Sequence, residues 1–217
     1  MSDNRKPVRV AINVMRARLT VLGFNIAIVS FQIAQLGSSA DGLRVPGIGR
    51  SLHVVADIEL YMALSLSVIS LMAFIMSSEM DETGVCTHWS LLVGDLLMYL
   101  AVAHTVAGFF APLATTIETV SGQLPHKASE FNVLKSGALV FGGAAWFMAN
   151  YLGPVVTLVR SPFERRTNLV LGIAYLLVML VLCWLTAQTV RVESAVSGDQ
   201  PGLIVSVLRE QVQPLRC

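Results

Sequence analysis

The chain has 217 residues, of which 54% are hydrophobic and only 13% are charged, whereas about a quarter of the residues in a soluble domain are charged. The formal net charge is +1, and the sequence lacks the concentrated basic patch that nucleic-acid binding requires. Cys86, Cys183 and Cys217 are scattered, which predicts neither a disulfide framework nor a paired metal motif. The composition therefore predicts a membrane protein whose partner is the lipid bilayer and not nucleic acid.

Five windows hold the roughly 20 mainly apolar residues that a helix needs to cross the hydrocarbon core. They are Leu19–Leu36, Val54–Met76, Leu91–Leu113, Val133–Leu158 and Leu169–Val190. Backbone polar groups in lipid must bond within their own segment, so we expect each window to be a helix. The predicted fold is all-α: a polytopic membrane protein built as a bundle of about five transmembrane helices.

The predicted organisation is a single membrane domain with short ends. A basic amino-terminal segment covers residues 1–18, the transmembrane domain covers 19–190, and a carboxy-terminal tail covers 191–217 with a short amphipathic stretch at Leu203–Leu215. The first window has an alternative interpretation as a cleaved signal segment, followed by the small residues Gly37–Ala40, which would leave four helices. Gln32 and Gln35 interrupt its apolar run and favour a retained helix.

Basic residues near the span ends predict the orientation in the membrane. One group precedes the first span and another crowds the loop after the fourth: Arg5, Lys6, Arg9, Arg16 and Arg18, then Arg160, Arg165 and Arg166. The positive-inside rule then places the amino terminus in the cytoplasm and the carboxyl terminus outside. We expect an inner or cell membrane as the location.

Polar residues in the outer half of the predicted spans form one group. With 1.5 Å of rise per residue, Asp57 and Glu59 lie roughly 5–8 Å below the outer end of the second span. His104 lies roughly 14 Å below Leu113 in the third span. These side chains are expected to meet in an outward-facing pocket. Tyr61 shares a helix face with Asp57, whereas Glu59 points about 200° away from Asp57.

Asp95 forms a separate, inner level, about 6 Å above the inner end of the third span and on the opposite side of that helix from His104. Arg18, Asn25 and Gln32 recur every seven residues and predict a polar face along the first helix. An ionisable residue at the centre of a span costs about 2.5–3.5 kcal/mol on the insertion scale, which makes it a functional hypothesis by default.

Each polar residue also has a purely structural interpretation. Asp57 and Glu59 could reach water at the headgroups, since the insertion cost falls near the interface. His104 could be a hydrogen-bonded packing residue. Asn25 and Gln32 could bond between helices.

Small residues recur at three- and four-residue steps along one face of the fourth window: Ala138, Gly142, Ala145, Ala149 and Gly153. Such a face lets helix backbones approach closely in a membrane, so it predicts a packing helix at the bundle centre or at a subunit interface. Pro154 and Pro112 are expected to kink the fourth and third helices.

The sequence contains no Walker loop, dinucleotide-binding glycine pattern, HExxH motif or nucleophile elbow. We expect no metal and no cofactor. A haem would need two histidines that meet across the bundle in a roomy cavity, and His53 and His104 are the one pair at a compatible depth. The absence of these motifs makes an enzyme the less favoured prediction. Carboxylates and a histidine would still suffice for general acid–base catalysis on a lipid or a quinone.

The leading hypothesis is a protein that helps move a cation, such as a proton, through a polar path between helices, alone or as a homo-oligomer. The expected path residues are Asp57, Glu59, Tyr61, Asp95 and His104. One alternative is a non-catalytic membrane subunit of a larger complex. The other is a redox subunit linked to a quinone or a haem.

Overall fold

The computed structural model describes residues 8–9, 12–36, 53–79, 85–86, 89–197, 202 and 204–207. Its main helices are α1 (Ile12–Leu36), α2 (Val54–Glu79), α3 (Ser90–Gln123), α4 (Ala128–Phe147), α5 (Gly153–Arg160) and α6 (Arg165–Ser197). A 3₁₀ turn, Pro125–Lys127, precedes α4, and a π-helical turn, Met148–Leu152, joins α4 to α5. Two short strands, β1 (Val8–Arg9) and β2 (Val85–Cys86), pair antiparallel.

Five helical segments in the described part of the chain are long and apolar enough to cross a membrane. They are Met15–Leu36, Val54–Ser77, Ser90–Phe110, Ser129–Arg160 and Arg165–Ser194. The predicted all-α membrane bundle is therefore confirmed, and each span overlaps one predicted window. The helices extend past the windows because polar residues at the ends continue the helical backbone, as α3 does to Gln123.

Consecutive spans run antiparallel. Leu36 at the end of α1 packs with Ala56 at the start of α2, and the Ser70 hydroxyl near the end of α2 donates to the Gly94 carbonyl near the start of α3, at 2.7 Å. We call the end of the bundle where α1, α3 and α6 begin the basic end, because Arg18 and Arg165 lie there. The β1–β2 pair joins the segment before α1 to the loop between α2 and α3 at this end.

α3 is the central helix of the bundle. Of the apolar window in α3, 67% is buried inside the protein, against 22% in the windows of α1 and α6. The largest buried cluster joins α2, α3 and α6 through side chains such as Met62, Leu100 and Met179. The outer helices expose apolar side chains such as Phe24 and Leu177, as a surface in contact with lipid requires.

The fourth span is interrupted in its middle by the π-helical turn. The Gly153 N–H bonds to the Met148 carbonyl, five residues earlier, and Pro154 follows at the start of α5. Proline has no N–H and cannot make the i→i−4 bond of an α-helix, so the change of helix type falls where that bond is missing. Pro112, by contrast, lies inside α3, which continues through it.

Candidate polar sites inside the bundle

A carboxylate, an imidazole and a hydroxyl from three helices meet inside the bundle. Glu59 on α2 is only 4% exposed. Its Oε2 lies 2.5 Å from Nδ1 of His104 on α3, and its Oε1 accepts a hydrogen bond of 2.6 Å from the Thr186 hydroxyl on α6. Each carboxylate oxygen therefore has a bonding group from a different helix, which offsets the cost of burying Glu59. The carboxylate beside Nδ1 also orients the imidazole ring.

A small cavity of about 20 Å³ adjoins this cluster. Its walls come from α2, α3, the fourth span and α6, and include Glu59, His104, Trp146, Asn150, Cys183 and Thr186. A cavity of about 10–15 Å³ on this measure is enough for one water molecule. The cavity therefore has room for water beside the carboxylate and the imidazole.

Glycines on α3 allow α2 to come close enough for this contact. A Cβ added at Gly108 would lie 2.9 Å from Leu60 Cγ and 3.1 Å from Glu59 Cβ. Gly108 is one turn beyond His104, so it shares the helix face that meets α2. A second close approach occurs at Gly94, where an added Cβ would lie 2.7 Å from the Phe74 ring. Small residues at these two points bring the helices together in the way that membrane bundles favour.

A second buried pair lies toward the basic end. Arg18 Nη2 on α1 is 2.6 Å from Asp95 Oδ2 on α3, and Asp95 is only 5% exposed. The guanidinium carbon of Arg18 also lies 5.9 Å from the centroid of the Phe74 ring. The ion pair neutralises a carboxylate that would otherwise stand alone in the bundle.

Asn25, seven residues after Arg18 on the polar face of α1, bonds to α2. The Asn25 side chain donates to the Ser67 hydroxyl on α2 at 2.9 Å, and both residues are buried. Together with the Arg18–Asp95 pair, this bond attaches α1 to α2 and α3 along one face. Arg18 and Asn25 are seven residues apart and therefore lie on this same face of α1.

The structure brings two of the five expected path residues together. Glu59 and His104 are in direct contact. Asp57 is half-buried and does not line the cavity. Tyr61 is 64% exposed on the outside of the bundle.

Asp95 bonds to Arg18, on the other side of α3 from His104. Nine residues separate Asp95 from His104, which places them about 180° apart on the helix. The structure therefore contains two separate buried polar sites and not one continuous row. The assignment of all five residues to a transport path stays a prediction.

The small-residue face of the fourth span makes two close contacts. Gly142 lies against the Phe110 ring, where an added Cβ would overlap it. A Cβ added at Gly153 would lie 2.6 Å from the Tyr99 ring. Ala149 is buried, Ala138 is half-buried and Ala145 is exposed.

Sequence reasoning missed several residues of these sites. Thr186 and Cys183 gave no signal, because a small polar residue inside a span is usual at helix contacts. Arg18 was detectable: it lies near the inner end of the first span, at the depth predicted for Asp95. Among the described residues, no group of three or more His, Cys, Asp or Glu side chains is arranged to hold a metal ion.

Comparison of the chain with protein-family models, with curated proteins and with solved structures found no match. Any inference about function therefore rests on the fold and the two polar sites. They define a five-span helical membrane protein with a buried carboxylate–imidazole pair beside a water-sized cavity.

Proposed function

We propose that the protein moves protons across the membrane and that Glu59 and His104 bind the proton in transit. The observation that supports this most is their direct contact inside the bundle, beside a cavity with room for water. Ionisable residues in the interior of membrane bundles are expensive to insert and mark proton relays or ion pathways. Among the described residues, Glu59 and His104 form the buried carboxylate–imidazole contact, and these are the side-chain types that serve in general acid–base catalysis.

The size of the cavity favours a proton over other cations. A volume of about 20 Å³ accommodates about one water molecule, so a metal ion would have to lose its hydration shell to enter. The structure offers few oxygen ligands there to replace that shell. A proton needs only a chain of groups that accept and donate hydrogen bonds, which a water molecule, an imidazole and a carboxylate provide.

The proposed step conserves charge and protons. A proton from water in the cavity binds the imidazole or the carboxylate, and the pair then carries one more positive charge. Release of one proton from the pair to the other side restores the starting state. The Thr186 hydroxyl holds the second carboxylate oxygen in place during the exchange. Asp57, two residues nearer the start of α2, would attract protons to the mouth of the path.

Proton flux into liposomes tests this proposal. Glu59→Gln keeps the shape of the side chain and its hydrogen bonding but removes the titrating group. We expect it to lower flux, driven by a potassium diffusion potential and followed with an internal pH dye, on the order of 100-fold.

Glu164→Gln is the matched control, because Glu164 is exposed in the loop before α6 and should leave flux unchanged. Equal flux in Glu59→Gln and the parent protein, at matched protein density, would contradict the proposal.

We further infer an inner or cell membrane with the amino terminus in the cytoplasm. Among the described residues, Arg16 and Arg18 near the start of α1 lie at the same end of the bundle as Arg160 and Arg165, which agrees with the positive-inside rule for loops on one side.

A non-catalytic subunit is the second candidate function. It is supported by the outer surface of the bundle, where Tyr61 is 64% exposed and the small residue Ala145 is exposed on α4. A hydroxyl and a small side chain at a lipid-facing position suit contact with another helix. The size of the purified protein in detergent tests this: a self-associating transporter gives a discrete homo-oligomer, whereas an orphaned subunit gives a monomer without flux.

A further inference from the structure

The π-helical turn in the fourth span exposes a backbone carbonyl that a side chain of another helix binds. Pro154 has no N–H, so the Asn150 carbonyl, four residues earlier, lacks the donor that an α-helix would supply. The Tyr175 hydroxyl on α6 donates to this carbonyl at 2.6 Å. Both residues are buried, Asn150 at 4% and Tyr175 at 8% exposure, so this bond replaces the missing one inside the bundle.

This bond holds together two walls of the cavity. Asn150 lines the cavity from the fourth span. On α6, Tyr175 is followed at four-residue and three-residue steps by Met179, Cys183 and Thr186, which line the opposite wall. The Tyr175–Asn150 bond therefore joins the π turn to the helix face that carries the hydroxyl bonded to Glu59.

We propose that the π turn is a hinge and that the Tyr175 hydroxyl is the latch that keeps it closed over the Glu59–His104 cavity. π-helical turns in the middle of helices are frequent at functional sites, and a few backbone positions absorb the change when segments of a protein move. With the bond in place, the part of the span that carries Asn150 stays against α6 and Cys183 stays buried. When the bond breaks, α5 and the turn move away from α6, the cavity widens and Cys183 becomes accessible.

Tyr175 is thus a positioning residue that acts through Asn150. The role of this opening rests on the proposed function, because a proton transporter needs water to reach Glu59 and His104. The opening itself can be measured without any flux, because Cys183 is 8% exposed and lines the same cavity. Its modification by a small thiol reagent reports how often the cavity opens.

The experiment uses the full chain in detergent with Cys86→Ser and Cys217→Ser, so that Cys183 is the single thiol. Methyl methanethiosulfonate is added, and the modified fraction is followed by mass spectrometry of the intact protein. Loss of a hydrogen bond to a buried acceptor favours the open state. We expect Tyr175→Phe to raise the labelling rate about tenfold, which corresponds to about 1.4 kcal/mol. Thr116→Val, which removes an exposed hydroxyl that also donates to a backbone carbonyl, should leave the rate unchanged.

A second substitution makes the test specific for the carbonyl. Pro154→Ala supplies an N–H that can bond to the Asn150 carbonyl within the helix. Added to Tyr175→Phe, it should return the labelling rate to near that of the parent; alone, it should lower the rate below the parent. If Tyr175→Phe does not fold, the labelling rate of Pro154→Ala alone still tests the proposal.

An unchanged rate in Tyr175→Phe would overturn the latch, as would an increase that Pro154→Ala does not reverse. An unchanged labelling rate in Pro154→Ala alone would also overturn it.

These outcomes are separate from those for proton transport. The expected labelling pattern in a protein without flux would support the latch and contradict the transport proposal. Flux that depends on Glu59, with labelling indifferent to Tyr175, would support transport and contradict the latch.

Discussion

Glu59 and Asp95 are both buried carboxylates, but the groups bonded to them differ in kind. His104 supplies an imidazole, which can both accept and donate a hydrogen bond, next to the Glu59 carboxylate. Arg18 supplies a guanidinium, which only donates, to the Asp95 carboxylate. This difference assigns proton binding to the first pair and attachment of α1 to the second.

Breaking the Arg18–Asp95 pair from one side should destabilise the protein strongly. Arg18→Leu leaves Asp95 buried without its cation, and loss of one member of a buried pair costs about 3–5 kcal/mol. Replacing both members, as Arg18→Leu with Asp95→Leu, removes the charge as well as its counter-charge and should recover most of the loss. Unfolding in a denaturing detergent, followed by circular dichroism, measures both variants.

A single variant as stable as the parent would show that the pair does not hold α1 in place. A double variant as unstable as the single one would show that packing around Leu22 and Phe74, and not charge, dominates at this contact.

Depth along the spans was enough to predict that Glu59 and His104 lie in the same half of the membrane. It was not enough to identify their contact, since Asp57 and Glu59 lie at almost equal depth and only their orientation separates them. Arg18 was missed as a bonded residue because the apolar window begins at Leu19, whereas α1 begins at Ile12. A window defined by hydropathy leaves out charged residues, including those that lie inside the bundle because they pair with a residue of another helix.

At the scale of single elements, the fourth span shows what sequence pattern can and cannot predict. Small residues at three- and four-residue steps predicted close contacts, and Gly142 and Gly153 make them. Pro154 predicted a disturbance of the helix, because a missing N–H is a local property. The bond from the Tyr175 hydroxyl to the Asn150 carbonyl in that turn was not predictable, since the two residues are 25 positions apart along the chain.

Gly142→Leu should disturb the contact between α3 and α4. The added side chain would occupy the position of the Phe110 ring, and overpacking of this kind typically costs about 1–3 kcal/mol. Val140→Ala is the control, because Val140 is 68% exposed and points away from that contact. Thermal unfolding and size-exclusion chromatography in detergent compare the two variants. Equal stability and equal elution would remove the packing role of Gly142.

At the scale of the whole molecule, the order of the spans determines which loops share a side. Five antiparallel crossings place the segment before α1, the loop after α2 and the loop between α5 and α6 at the basic end. The β1–β2 pair joins the first two of these directly. The number and order of spans were predictable from the sequence because each needs only a long apolar run. The close approach of α2 and α3 was not, since it depends on Gly94 and Gly108 meeting particular side chains.

This arrangement leads to a prediction about the two ends of the chain. α6 begins at Arg165 at the basic end and runs to Ser197 at the other, whereas β2, which contains Cys86, lies at the basic end. Because Cys217 comes after α6 in the sequence, we expect it on the other side of the membrane from Cys86. With the amino terminus in the cytoplasm, an impermeant thiol reagent added to intact cells should modify Cys217 and spare Cys86.

Cys217→Ser is the control and should abolish labelling, while permeabilised cells should label Cys86 as well. Labelling of Cys86 alone in intact cells would invert the orientation. Labelling of both would contradict the three crossings between Cys86 and Cys217, and with them the five-span topology.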